Sequence, residues 1–407
     1  MRRTRMALLA TASGLLLSAC GAAGGSDAPT WEPSPALGGN GNGPGAQASP
    51  IVPVPSPPKS QPHTNSSGPP RNQPSPSATG KGDPNVVATH LHAPVGLTML
   101  PDGTALVGER TTGRIVRVQP VAGRPVPTVR QLSGLDSSGD GGLLDLALSP
   151  TYSEDGLIYA YVTTATDNRV VDFTLKGPVT PVLVGIPKGS AGNTGRIAFG
   201  GDGDLYVGTG DAGRAADAAN PRKLAGKVLR IDDIGDPARG NPSPSSPVWT
   251  SGHYRVNGLC AVPQATAVLE VEAGSAGRPD DVNDLVADSY YGWPAANSSV
   301  RPALGELPDA YRSPGGCAVL DNHLWVTSLD GRALLSAPLK GSRTTPAIGK
   351  FSAVLTNKYG RLKTVVAADD GALWLTTSNR DGSGSPVSAD ERVIRYLPSG
   401  GGGGAPV

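Results

Sequence analysis

One repeated unit constrains the fold of this chain more than any other feature. From residue 85 onward, six units each consist of a turn, a strand of alternating apolar residues, a polar stretch and a second strand. Neighbouring turns lie about 45 to 62 residues apart, which is typical of four-stranded propeller blades. The fourth unit lacks the turn pair; the other five carry Asp102-Gly103, Asp155-Gly156, Asp202-Gly203, Asp321-Asn322 and Asp370-Gly371.

The repeat predicts an all-β fold, a six-bladed β-propeller over residues 85–400. One blade alone cannot bury both of its faces, whereas a ring of blades can. A β-sandwich is the alternative, but it does not explain six similar units. The apolar segments 95–100, 143–148 and 364–368 are candidates for innermost strands, and residues 212–223 and 233–253 are predicted to form long loops.

The N-terminus predicts export. Three arginines within the first five residues precede an apolar run over 6–17, which is too short for a typical membrane span and fits a secretory signal. The run ends in LSACG at 17–21, which resembles the lipobox of bacterial lipoproteins. The resemblance implies a signal peptide over 1–19, a diacylglycerol on the sulfur of Cys20, and attachment to the outer face of the bacterial cell membrane. The alternative is an ordinary signal peptide with an incidental cysteine.

Residues 20–84 are dominated by Pro, Gly, Ser, Asn and Ala. Such a segment buries too little apolar surface to offset its chain entropy, so we expect a disordered linker between the lipid anchor and the propeller. Residues 401–407 are expected to be a flexible tail.

The overall charge excludes one class of function. The chain has 35 Lys and Arg against 34 Asp and Glu, which is not the footprint of a nucleic-acid binder. The sequence also lacks the G-x-S-x-G motif of serine hydrolases and any zinc-ligand spacing. We expect a monomer with no nucleic-acid partner.

Two further cysteines, Cys260 and Cys317, lie in similar local sequences. If the repeat is right, they occupy corresponding strands of neighbouring units. A disulfide between them is then possible in an exported chain. Two buried free thiols are the alternative.

Several charged residues fall at strand starts and in loops that would face a central channel. Clustered cations suit a carboxylated ligand, although each one alone is more simply a solvated surface charge. Asp140 lies in a glycine-rich loop that either binds a ligand or forms a tight turn. The cations are Arg196, Arg255, Arg332, Arg361, Lys363 and Arg380, and the acids are Asp140, Asp211, Glu272, Asp280 and Asp281.

Taken in order, a set of short motifs resembles the soluble PQQ-dependent glucose/sorbosone dehydrogenase family, as an exported bacterial lipoprotein member. The resemblance covers about residues 91–398. The motifs are LPDG at 100–103, VGER at 107–110, GDGGLL at 139–144, LSP at 148–150, GRIAF at 195–199, GKVLRI at 226–231, YGWP at 291–294, YGRL at 359–362 and TSNRDG at 377–382.

The resemblance implies a six-bladed propeller that oxidises sugars with bound PQQ and Ca²⁺. It assigns the carboxylates of the cofactor to four cations. Those cations are Arg196, Arg255, Arg361 and Lys363.

The resemblance also implies a calcium segment and a polar residue in the glycine-rich loop. The calcium ligands fall on Glu272, Gly274 and Asp281. A solvated acidic loop is the alternative for that segment. Asp140 is retained in the glycine-rich loop and is a candidate catalytic residue.

The sequence departs from the family pattern at several positions. Tyr254 and Arg255 replace an arginine and an asparagine, and Lys363 replaces an arginine. The position of the histidine base is Gly192, and a lysine expected in the fifth blade is replaced by Asp330. His253 is a possible substitute base. Two functions remain open. One is an oxidoreductase acting on sugar or alcohol CH–OH groups with a rearranged site, and the other is a non-catalytic propeller that binds a carbohydrate or a partner of the cell envelope.

Overall fold

The computed structural model describes residues 82–398 except 276, 296–298 and 343–344. The predicted signal peptide, Cys20, nearly all of the linker and the tail at 401–407 lie outside the described residues. Within the described part, no helix is long and apolar enough to cross a membrane.

Six antiparallel sheets form the six predicted blades. The first three blades each contain four strands. Blade 1 contains β2 (Pro94–Met99), β3 (Ala105–Glu109), β4 (Arg114–Val118) and β5 (Thr128–Gln131); blade 2 contains β6 (Leu143–Leu148), β7 (Ile158–Thr163), β8 (Asn168–Phe173) and β9 (Val179–Ile186); blade 3 contains β10 (Gly195–Phe199), β11 (Leu205–Thr209), β12 (Lys227–Ile231) and β13 (Val248–Ser251).

Blade 5 has an additional strand, and blade 6 takes its outer strand from the start of the propeller. Blade 4 contains β14 (Arg255–Ala261), β15 (Val268–Ala273), β16 (Asp281–Asp284) and β17 (Gly305–Glu306); blade 5 contains β18 (Pro314–Leu320), β19 (His323–Ser328), β20 (Ala333–Gly341), β21 (Pro346–Ile348) and β22 (Ser352–Val354); blade 6 contains β23 (Leu362–Ala367), β24 (Leu373–Thr377), β25 (Val393–Tyr396) and β1 (Val86–Ala88). Short helices occur at Tyr152–Asp155 and Ala215–Ala218, with a 3₁₀ turn at Asp309–Tyr311.

The first strand of each blade lies innermost. β2, β6, β10, β14, β18 and β23 each contact the first strands of both neighbouring blades, and β23 contacts β2. These contacts close a ring around a central axis, in agreement with the three innermost segments predicted from the sequence. The pairing of β1 with β25 closes the ring a second time, at the outer edge of blade 6.

The loop predicted over 233–253 is wrong in part, because residues 248–251 form β13, the outer strand of blade 3. The other predicted loop, 212–223, contains one short helix. A four-residue outer strand with polar neighbours gives little alternation, so its pattern does not distinguish it from a loop.

Apolar side chains fill the interfaces between blades. Each of six hydrophobic clusters lies between two neighbouring blades, including the cluster that joins blade 6 to blade 1. Second strands such as β3, β7 and β11 are buried along their whole length, because each blade is covered on both faces. The innermost strands also approach closely: a Cβ on Gly96 would lie 2.9 Å from the backbone nitrogen of Leu146.

The predicted disulfide is confirmed. Cys260 on β14 and Cys317 on β18 are bonded, and their Cα atoms are 5.8 Å apart. The bond joins the innermost strands of blades 4 and 5, which are corresponding strands of neighbouring units. Closing a loop of 57 residues restricts the unfolded chain, and the entropic model assigns about 4 kcal/mol to a loop of this size.

Candidate functional site

A cavity of about 530 Å³ opens where the innermost strands begin, and residues from all six blades or their connecting loops line it. Its wall is strongly charged. Four cations and three carboxylates are found among the described lining residues: Arg110, Arg196, Lys363 and Arg380, with Asp140, Asp381 and Glu391.

Arg196 forms the part of this wall that is tied most firmly to the rest of the protein. It follows Gly195 at the start of β10, and its side chain reaches across the axis. Its Nε donates to the carbonyl oxygen of Asn257 in blade 4 at 2.7 Å, and its Nη2 donates to that of Gly315 in blade 5 at 2.5 Å. Arg196 therefore joins three innermost strands.

Asp145 on β6 supplies the countercharge from blade 2. Its Oδ1 lies 3.6 Å from Nη1 of Arg196, and its Oδ2 accepts a hydrogen bond from the Ile197 amide at 3.0 Å. Burial raises the pKa of Asp145, and the charge of Arg196 opposes that rise. Burial also lowers the pKa of Arg196, and the charge of Asp145 opposes that fall. Each charge depends on the other, because both side chains are buried.

Arg361 is held by two carboxylates. Its Nη1 lies 2.5 Å from Oδ1 of Asp330, and its Nε donates to Oδ2 of Asp381 at 2.9 Å. Burial alone would raise the pKa of Asp330, but hydrogen bonds from Ser313 and Arg361 hold it below its usual value. The replacement of a lysine expected from the family by Asp330 thus supplies Arg361 with a protein partner.

Lys363 differs from the other cations of the cavity. It is partly buried on β23, and within the described part of the chain its amine has no hydrogen-bond acceptor. Burial, with repulsion from Arg196 and Arg110, lowers the pKa of Lys363 to about 7, against an opposing effect of Asp381. A carboxylate ligand would relieve this desolvation.

Arg255 begins β14 but is not among the described residues that line the cavity. Its guanidinium lies over the ring of Tyr254 at 5.1 Å. The buried Nε of Arg255 has no acceptor in the part of the chain that the structure describes. Arg255 and Lys363 are thus the two sequence-predicted cofactor cations whose donors remain unused.

Gly192 occupies the position at which the family resemblance places a histidine base, and the backbone there is suited to glycine. Gly192 has a φ of 78°, and a Cβ there would lie 2.9 Å from Oδ1 of Asp211 and 3.1 Å from the amide nitrogen of Ala212. Any side chain at this position would therefore be strained and crowded. In this loop conformation a histidine at position 192 would be strained.

Asp140 accepts hydrogen bonds from the loop that contains Gly192. Its Oδ2 accepts from the Gly192 amide at 2.7 Å, and its Oδ1 accepts from the backbone nitrogen and Nδ2 of Asn193 at 3.2 and 2.7 Å. Arg110 holds the loop of Asp140 in turn, because its Nη1 donates to the carbonyl oxygens of Gly139 and Gly141. Sequence reasoning missed Arg110 as a site residue, although it lies in the VGER motif.

The predicted calcium segment is part of a buried cluster in which His253 lies between two glutamates. Nδ1 of His253 lies 3.0 Å from Oε1 of Glu270 and 3.2 Å from Oε2 of Glu272. Burial alone would lower the pKa of His253, but Glu270 and Glu272 raise it to about 10. His253 is fully buried, so it has no access to a substrate and does not replace the missing base.

Asp281 faces Glu272 across β15 and β16. Burial and the neighbouring charges of Glu272 and Glu270 raise the pKa of Asp281 to about 8. Gly274 follows β15 directly and donates its amide to Oδ1 of Asp280 at 2.6 Å. The oxygen-rich donor set of Glu272 and Asp281 matches the preference of Ca²⁺, and the imidazole of His253 already balances part of its charge.

Comparison with known proteins agrees with this architecture. The model of the "Glucose / Sorbosone dehydrogenase" family matches residues 91–316. The chain belongs to the glucose/sorbosone dehydrogenase family. The match runs from just before blade 1 into β18 of blade 5.

This chain matches curated relatives and solved structures over different lengths. Quinoprotein glucose dehydrogenase B of Acinetobacter calcoaceticus is 30% identical over 254 residues, and the match covers 52% of each chain. The chain thus spans about half the length of this relative. Aldose sugar dehydrogenase YliI of Escherichia coli is 24% identical, over 74% of this chain and 92% of that protein.

The PQQ-bound aldose sugar dehydrogenase of Streptomyces coelicolor is a solved structure with 38% identity and a TM-score of 0.72. That match covers 77% of this chain and 96% of the other. A putative glucose dehydrogenase of Thermus thermophilus has 36% identity and a TM-score of 0.71, over 77% and 98% of the two chains.

Replacing Arg196 tests its role across the axis. We expect Arg196→Met to lower the free energy of unfolding by about 3–5 kcal/mol, because Asp145 would remain buried without its partner. The double variant with Asp145→Asn should cost less than the sum of the two single variants. Urea denaturation followed by tryptophan fluorescence measures both quantities.

The matched control is Arg124→Met, which removes an exposed arginine and should change the free energy by less than about 0.5 kcal/mol. A loss at Arg196 as small as that of the control would contradict the role assigned to this side chain.

Proposed function

We propose that this protein binds PQQ in the axial cavity and oxidises a sugar or alcohol CH–OH group slowly. The observation that carries the proposal is the unpartnered amine of Lys363, within the described residues, in a cationic cavity of a glucose/sorbosone dehydrogenase propeller. The relative from Streptomyces coelicolor, whose structure contains PQQ, supports the choice of cofactor.

The cavity fits a tricarboxylate in size and in charge. Its volume of about 530 Å³ lies in the range of small-molecule sites. Arg110 and Arg380 donate to backbone carbonyls and form no ion pair within the described residues, whereas Arg196 is paired with Asp145. Lys363 would hold one cofactor carboxylate by a charge-assisted hydrogen bond, and the cations around it would favour the others.

When bound, PQQ supplies the two-electron acceptor for the hydride of the substrate. The hydroxyl proton then needs an acceptor from the chain, and the family position for it is Gly192. The carboxylate oxygens of Asp140 are already engaged by three N–H donors of the Gly192 loop. Loss of a positioned base typically costs about 10²–10⁴ in rate.

The second candidate function is binding without chemistry. The closed, glycine-specific conformation at Gly192 favours it, since this loop has no relaxed place for the family's base. In that case a carbohydrate or a partner from the cell envelope would occupy the cavity.

We also propose that Glu272 and Asp281 bind Ca²⁺. The two carboxylates pair across β15 and β16, and hard cations prefer such oxygens. Gly274 is in the same segment, where its amide is bound to Asp280.

The full chain should bind PQQ, followed by the absorbance of the cofactor, with and without added Ca²⁺. We expect Lys363→Met to weaken binding about 10- to 100-fold, because a hydrogen bond to a charged group contributes about 1.5–3 kcal/mol. Lys340→Met, at an exposed lysine on β20, should bind like the unchanged protein.

Dye-coupled oxidation of a panel of sugars then separates the two candidate functions. We expect turnover at least about 10²-fold below that of the Streptomyces coelicolor relative under the same conditions. Absence of PQQ binding would contradict the enzyme proposal, and turnover equal to that of the relative would contradict the role given to Gly192.

We also propose that the protein is exported and anchored to the outer face of the cell membrane through Cys20. The lipobox-like sequence at 17–21 supports this, and the Pro- and Gly-rich linker would separate the propeller from the lipid surface.

Substitution of the lipidation site tests the anchor. Cys20→Ala should move the protein from the membrane fraction to the soluble fraction, because the acyl chains are lost. Ser26→Ala, six residues further on, should leave the distribution unchanged. A Cys20→Ala variant that stays in the membrane fraction would contradict lipidation.

A further inference from the structure

We propose that Lys363 of the cofactor-free protein is a nucleophilic amine that forms a reversible imine with small carbonyl compounds bearing a carboxylate, such as 2-oxo acids. The activity would be additional to the proposed sugar oxidation and does not depend on it. It uses the same cavity before any cofactor has bound.

The position of the amine is the first ground for this inference. Lys363 lines an open cavity of about 530 Å³, so a small molecule can reach it. Thr194, Arg196 and Asn257 line the same cavity, and within the described residues no group accepts a hydrogen bond from the amine. A lysine with an acceptor would be held as an ammonium, which is not a nucleophile.

The surrounding charges are the second ground. Arg110, Arg196 and Arg361 repel the protonated amine, and Asp381, the acid that opposes them, is bound by Arg361. Repulsion between cations is a general way of activating a lysine nucleophile.

The other carboxylates of the cavity are occupied. Asp140 accepts from the Gly192 loop, and Glu391 accepts from the hydroxyl of Thr377 at 2.6 Å and from the Arg380 amide. With burial and cationic neighbours together, the pKa of Lys363 falls to about 7, so about half of the amine is neutral at neutral pH.

The same arginines select the class of carbonyl compound. A 2-oxo acid carries a carboxylate next to its carbonyl group, and guanidinium groups recognise carboxylates through charge-assisted hydrogen bonds. Arg110 lies in the wall with Lys363, and within the described residues only Nη1 of its guanidinium nitrogens donates to the protein, whereas Arg196 contributes its charge from its fixed position. An uncharged aldehyde would gain nothing from these cations.

The step is balanced without an oxidant or a reductant. The nitrogen lone pair of Lys363 attacks the carbonyl carbon, and the carbonyl oxygen becomes a hydroxyl as the nitrogen loses a proton. Loss of that hydroxyl together with the remaining proton of the nitrogen, as water, leaves a carbon–nitrogen double bond. Hydrolysis reverses the reaction and restores the amine.

The experiment traps the imine by reduction. The full chain, free of PQQ, is incubated with glyoxylate and cyanoborohydride, and the modified lysines are located by peptide mass spectrometry. Exposed Lys340 and Lys350 serve as references within the same molecule. At pH 7 we expect Lys363 to be labelled at least about tenfold faster, because an exposed lysine is almost entirely protonated there.

Two further readouts sharpen the test. The advantage of Lys363 over Lys340 should shrink as the pH rises toward the ordinary lysine pKa of about 10.4. Glycolaldehyde, which lacks the carboxylate, should label Lys363 more slowly than glyoxylate does, relative to their rates at Lys340. Lys363→Arg keeps the charge and should abolish the label at this position.

Labelling of Lys363 no faster than that of Lys340 at pH 7 would overturn the proposal. Equal relative labelling by glyoxylate and glycolaldehyde would overturn the assigned class of ligand. Neither comparison requires a variant to fold, because both are made within the unchanged protein.

Discussion

The hydrogen bonds of Arg196 across the propeller axis are the interaction on which the site depends. The side chain starts on blade 3, pairs with Asp145 on blade 2 and donates to carbonyl oxygens of blades 4 and 5. Apolar clusters hold neighbouring blades together, but they lie between the sheets. The hydrogen bond from Arg196 to Gly315 also connects β10 of blade 3 with β18 of blade 5, which are not neighbouring blades. The fixed position of Arg196 therefore sets the wall of the cavity.

The cations of the site divide into two groups with different physical roles. Arg196 and Arg361 are bound by groups of the protein, and their charges stabilise the architecture. Lys363 and Arg255 retain donors without acceptors among the described residues. A partly buried cation without a partner is costly, so the presence of Lys363 and Arg255 points to binding of an anion or to reactivity. The resemblance assigned all four cations to the cofactor alike, because sequence spacing does not show which donors the protein already uses.

The repeat predicted the propeller and the number of its blades from the sequence, since the turn pairs and alternating strands recur at a regular spacing. The similar surroundings of Cys260 and Cys317 predicted their bond for the same reason. Strand β1 was not predicted as the outer strand of blade 6, because three residues carry no periodic signal and their partner lies at the other end of the domain. The conformation of Gly192 was equally hidden: the sequence shows a missing base, whereas only the backbone shows that a side chain has no relaxed place there.

The central claim is that the cavity accepts a carboxylated cofactor at Lys363 while Arg196 keeps its structural partners. A crystal structure of the full chain with PQQ tests it most directly. We expect a cofactor carboxylate within hydrogen-bond distance of the Lys363 amine, and Arg196 still bound to the carbonyl oxygens of Asn257 and Gly315. PQQ bound away from Lys363, or Arg196 released from those carbonyls to hold it, would contradict the account.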